Sequence, residues 1–124
     1  MANADLLMVV GRVVFGGFFL IAGIRNFWNF RERRAMSTTN YGWPLPAPML
    51  AIGFAMQLVG GVLLILNWHV VVGAAMLILF LLMATPLYHN LFLFHGKERD
   101  PHLYLTLVNI TLCGGLLMVM GQAL

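Results

Sequence analysis

The stretch APMLAIGFAMQLVGGVLLIL-NWH-VVVGAAMLILFLLMATPLY, residues 47–88, decides the fold of this chain. Two long apolar runs, 47–66 and 70–88, flank the short link Asn67-Trp68-His69. Each run holds about 19–20 residues, which at about 1.5 Å rise per residue matches the ~30 Å hydrocarbon thickness of a bilayer. Over that length in lipid, a helix satisfies its own backbone polar groups. So short a link forces the two helices to be antiparallel neighbours. Apolar blocks of the same size stand at residues 6–24 and 103–124. The chain therefore reads as one domain, 1–124, an all-α integral-membrane four-helix bundle.

Composition points the same way. Hydrophobic residues make up 61% and charged residues 9%, far below the roughly 25% of a soluble domain. A soluble chain this apolar would expose large patches and aggregate. The lone Cys113 lies inside the fourth block, where it reads as a small packing residue; it cannot form an internal disulfide, and no metal-type cysteine spacing exists.

Charge sets the expected orientation. Arg25, Arg31, Arg33 and Arg34 lie in the connection 25–46, and Lys97 and Arg99 in the connection 89–102. The link at 67–69 has neither Lys nor Arg. The positive-inside rule puts both basic connections in the cytoplasm of a bacterial inner membrane and both termini outside. The basic run is thus a topogenic, headgroup-contacting segment rather than a nucleic-acid site. Residues 1–24 match a signal peptide poorly, with Asp5 early, Arg12 late and no cleavage-type sequence after the apolar run, so a retained first helix is expected.

Phe27, Trp28, Trp43, Tyr88 and Tyr104 are expected at one membrane face and Trp68 at the other, where amphipathic rings collect. Residues 40–48 cannot be continuous helix, because Pro44, Pro46 and Pro48 restrict the backbone and remove donors. Pro48 suits the first turn of the helix that follows. Paired glycines, Gly16-Gly17, Gly60-Gly61 and Gly114-Gly115, mark three helices as close-packing, since absent side chains let membrane helices approach. The similarity of QLVGGVLLIL (57–66) to TLCGGLLMVM (111–120) fits either two hairpins of common origin or a small apolar repertoire.

Polar residues inside the blocks carry the functional question. Arg12 lies about 9 Å into the first block. One reading has it snorkel outward toward Asp5. The other turns it inward to Gln57, within about 6 Å in depth, as an intramembrane polar pair. A second group, Arg25, Asn26, Thr85, His89, Asn90, His102 and Asn109, gathers at the basic end. Among these, His89 and His102 come to similar depth on consecutive helices. They are the candidate contacts for a quinone or haem, against the plainer reading of headgroup-bound histidines. No motif specifies a metal or a free-standing catalytic set.

The segment from Gly11-Arg12 through Gly16-Gly17 to Arg25-Asn26-Phe27 resembles the first helix of the DoxX-like membrane proteins. So do the approach Tyr41-Gly42-Trp43-Pro44-Leu45-Pro46, the pattern Gln57-Leu58-Val59-Gly60-Gly61 and the run Ala84-Thr85-Pro86-Leu87-Tyr88-His89-Asn90. The resemblance covers nearly the whole chain. It implies a bacterial inner-membrane four-helix protein of a family named for the small membrane subunit of a thiosulfate:quinone oxidoreductase. Other members look like accessory proteins of membrane redox or oxidative-stress systems. Where the family pattern leads one to expect a glutamate in the second block, this chain has Gln57, which removes a candidate acid–base group. The resemblance thus implies a non-catalytic subunit or anchor that docks a membrane redox partner or a second copy of itself. The alternatives are a quinone- or haem-contacting component of an oxidoreductase and a small transporter or channel. The last lacks the broken helices of a transporter and the acidic ring of a pore.

Overall fold

A computed structural model describes the backbone of residues 2–41, 45–89 and 95–124. Five helices appear in it: α1 (Ala2–Trp28), α2 (Phe30–Tyr41), α3 (Ala47–Leu66), α4 (Val70–Tyr88) and α5 (Arg99–Ala123), with a 3-10 turn at Gly96–Glu98 before the last. Among the described residues there is no strand. Four helical stretches, α1, α3, α4 and the segment Gly96–Ala123, are long and apolar enough to cross a membrane. Trp43 and Asn90 lie outside the described residues.

The α3 and α4 boundaries coincide with their apolar blocks, but α1 and α5 run past theirs. Hydropathy marks where the chain crosses lipid, whereas backbone hydrogen bonding continues until something stops it. Asp5 in the first turn of α1 and Arg25 in its last complement the helix dipole and extend the helix at both ends. The connection 25–46 holds a helix that the apolar pattern does not signal. The sequence FRERRAM supplies strong helix formers, so α2 follows α1 with only Asn29 between them. It ends at Tyr41 ahead of the proline cluster, and α3 begins after Pro46 with Pro48 in its first turn.

α3 is the central helix, packing on α1 to one side and α4 on the other. Adjacent positions on a helix point about 100° apart, so Gly60 and Gly61 serve different neighbours. A Cβ on Gly61 would lie 2.7 Å from the Gly16 carbonyl oxygen of α1. A Cβ on Gly60 would lie 2.7 Å from Leu77 Cγ and 3.0 Å from the Gly73 oxygen of α4. The same geometry corrects the expectation for the other two pairs. Of each pair only one glycine faces another helix: α1 uses Gly16 but not Gly17, and α5 uses Gly115, beneath Phe15, but not Gly114. A Cβ on Gly17 or Gly114 would meet no atom within 4 Å.

The α3–α4 link is closed by backbone alone. Trp68 N–H donates to Leu63 O (3.0 Å) and Asn67 N–H to Leu64 O (3.3 Å), a Schellman arrangement with Asn67 left-handed at φ 54°. Asparagine tolerates that conformation better than most residues with a side chain. α5 packs on α4. It meets α1 where Phe15 covers Gly115, beside the fully buried Phe19 and Leu116. Cys113 is free and half-buried against this core. Trp28 and Trp68 project from opposite ends of the bundle, 86% and 61% exposed. We call the end with α2 the basic end and the end with Asn67–His69 the turn end.

Candidate functional site

At the basic end, the helices leave a cavity of about 210 Å³. Its floor is aromatic and aliphatic, with Phe19, Phe54, Phe80 and Leu81, while Asn26, Gln57, Arg33, Tyr88, His89 and Asn109 supply the polar wall. Phe54 is held in place by edge-on contacts with Phe27 and Phe30, at centroid distances of 5.7 and 5.8 Å.

A directed chain of hydrogen bonds leads into the cavity. Arg33 Nε donates to Asn26 Oδ1 (2.9 Å), and Asn26 Nδ2 donates to Gln57 Oε1 (2.6 Å). A guanidinium only donates, so it dictates which way both amides point. The Gln57 carbonyl is thereby used, and its amide nitrogen is left as a donor. Gln57 is 4% exposed, and no sealed polar atom among the described residues lacks a partner, so this donor opens onto the cavity. The opposite wall has the reverse polarity. The Thr85 hydroxyl donates to Leu81 O (2.5 Å) and accepts from Asn109 Nδ2 (3.1 Å). That leaves the Asn109 carbonyl as an acceptor beside the cavity.

His89 and His102 face each other, Nδ1 to Nδ1, at 2.9 Å. One ring donates and the other accepts, so the link needs at least one of them neutral. His89 follows the last residue of α4, and its N–H donates to Thr85 O at 2.8 Å. Burial, then the neighbouring His102, push its pKa below the usual histidine value. With both Nδ1 atoms turned toward each other at hydrogen-bond distance, the rings would have to part to hold a metal between those two atoms. Among the described residues, no group of three or more metal-ligating side chains gathers. The cavity is also below the roughly 300–1,000 Å³ of drug-sized ligand pockets.

The inward pair Arg12–Gln57 does not form. Arg12 Nε donates to Leu64 O at 2.8 Å, while Gln57 bonds Asn26. Leu64 lies two turns beyond Gln57, about 11 Å along α3. The arginine side chain leans toward its own helix N-terminus, away from Gln57, and takes the second lone pair of the Leu64 carbonyl, which already accepts from the Asn67 N–H at 3.3 Å. Of the polar group expected at the basic end, Asn26, Thr85, His89, His102 and Asn109 come together, and Arg25 is exposed. Arg33 was not singled out from the basic run. The signal that could have found it is its spacing of two turns from Asn26 across Asn29, on one face of a continued helix.

A second hollow between α3 and α4, around Met49, Gly53, Met83 and Leu87, holds about 30 Å³ and is almost wholly apolar. It offers no group to orient a ligand.

The sequence model of the DoxX family matches residues 7–96. No curated protein and no solved structure matches the chain.

Proposed function

The chain belongs to the DoxX family, and from that premise we propose that it is a non-catalytic component of a membrane redox system that holds a quinone-class head group in the cavity at its basic end. The observation that supports this is the Gln57 amide N–H, almost completely buried and still facing open space. A ring oxygen, carbonyl in the oxidised form or hydroxyl in the reduced one, accepts from that donor. In the reduced form the hydroxyl on the far side of the ring donates to the Asn109 carbonyl. The aromatic floor matches a flat ring.

A short-chain benzoquinone, titrated into the detergent-solubilised protein and followed by its melting temperature, tests the reading. Stabilisation that Gln57→Leu removes is the expected result. Equal stabilisation of wild type and Gln57→Leu would overturn it.

Docking is the second part of the proposal. Arg31 and Glu32 of α2 are exposed beside the cavity, available to a protein partner of mixed charge. The basic connections face the cytoplasm of a bacterial inner membrane in this reading, by the positive-inside rule. Reporter fusions after residues 35 and 124 check it: an externally active reporter at residue 35 reverses the orientation.

A further inference from the structure

We propose that Arg12 anchors a phosphate-binding site at the turn end of the seam between α1 and α5, taking either the phosphodiester of an anionic lipid or free phosphate. Only Nε of Arg12 is committed, to Leu64 O. The guanidinium carries four further N–H donors. No described group partners them, and no sealed polar atom lacks a partner, so they face open space. That space is a pocket of about 140 Å³ between Arg12 and Met8 of α1, Asn67 and Val70 beside the link, and Val119 and Gln122 of α5.

The lining has a consistent chemistry. Arg12 is its only charged residue, and the side-chain amides of Asn67 and Gln122 add neutral donors. Val70, which opens α4, is also on the wall, so the positive end of that helix stands beside the pocket. A cation among donors, with no carboxylate on the wall, suits an oxyanion with several acceptor oxygens. Depth supports the same ligand. Leu64 stands two residues before the end of α3, within about 3 Å of the apolar edge along the axis. Lipid phosphates lie just beyond that edge.

The test uses the whole chain in an uncharged maltoside detergent. It is titrated separately with phosphatidylglycerol and with sodium phosphate, and binding is followed by native mass spectrometry and melting temperature. Arg12→Met is expected to weaken binding by about tenfold or more, the scale of a charge-assisted hydrogen bond, and Gln122→Ala by about threefold. Thr111→Val, exposed on α5 away from this pocket, is the control and leaves this binding unchanged. Response to phosphatidylglycerol alone assigns a lipid site, and response to both ligands assigns a phosphate site open to solvent. Gln122 is exposed, so its variant carries the test if Arg12→Met does not fold. Equal affinity in wild type, Arg12→Met and Gln122→Ala would overturn the proposal and leave Arg12 as a cap on α3.

Discussion

α1 meets the rest of the bundle along two seams of opposite character. Against α3, the backbones touch: a Cβ on Gly16 would lie 2.6 Å from the Gly61 oxygen. Against α5, contact narrows to Phe15 over Gly115 with Phe19 and Leu116 beside it, and a polar pocket stands at each end. Small residues made the first seam and large ones the second. Glycine lets two helices close over several turns, whereas a phenylalanine wedge holds them apart everywhere except where it sits. The contrast teaches that this protein keeps its rigidity on one side of α1 and its space for ligands on the other.

Breaking the closed seam has the largest expected effect. Gly61→Leu drives a side chain into the α1 backbone, which cannot move as a flexible side chain can. It should cost at least the roughly 1–3 kcal/mol of core overpacking. Gly60→Leu should do the same between α3 and α4. Thermal unfolding in detergent reads both, and unchanged melting of the double variant would refute backbone contact at α3.

The next effect belongs to the open seam. Gln57→Leu leaves the Asn26 amide without its acceptor, at a cost of ~1–3 kcal/mol if it stays unpaired. Measured membrane hydrogen bonds average nearer 0.6 kcal/mol. A double-mutant cycle of Asn26→Ala with Gln57→Leu should show coupling, and one of Arg12→Met with Gln57→Leu should show almost none. Coupling in the second cycle would mean that the two ends of the seam are joined after all.

Acidification probes the seam between α4 and α5. The folded pKa of His89 lies below its value in the unfolded chain, so the unfolded chain binds more protons in this range. Stability from this group is complete above about pH 6.5 and is lost as pH falls from there through the depressed folded value. His89→Gln should flatten that part of the pH profile. An identical profile in the variant would detach the histidine pair from stability.

The smallest effect sharpens the comparison by its absence. Gly17→Leu and Gly114→Leu point into open space, and replacing glycine within a helix favours the helix by up to about 1 kcal/mol. Melting temperatures at or slightly above wild type are expected. A marked fall at Gly114 would reveal a neighbour at that face, such as a second copy of the chain.

The membrane-crossing helices were legible because lipid imposes one length and one polarity on them, and the link at 67–69 gave α3 and α4 their pairing. α2 was not legible, since a polar helix beside a membrane leaves no apolar signature. At the site, the approach of His89 to His102 followed from equal depth on consecutive helices. The partner of Gln57 did not. Choosing between Arg12 and Asn26 requires knowing the stagger of α1 on α3, and close contacts such as Gly23 against Gln57 and Leu58 set that stagger. Depth arithmetic counts residues along one helix; it does not know where the neighbouring helix is anchored.

The chain from Arg33 through Asn26 to Gln57 has one more consequence. A proton wire works because each member can receive a proton on one side, release another on the other, and afterwards turn round. Arginine has no proton to give up at any biological pH, and a carboxamide under its direction has no second orientation that keeps its bonds. Gln57 therefore transmits alignment inward and carries no charge in either direction. A molecule seated against it is oriented by that contact and exchanges no proton through it.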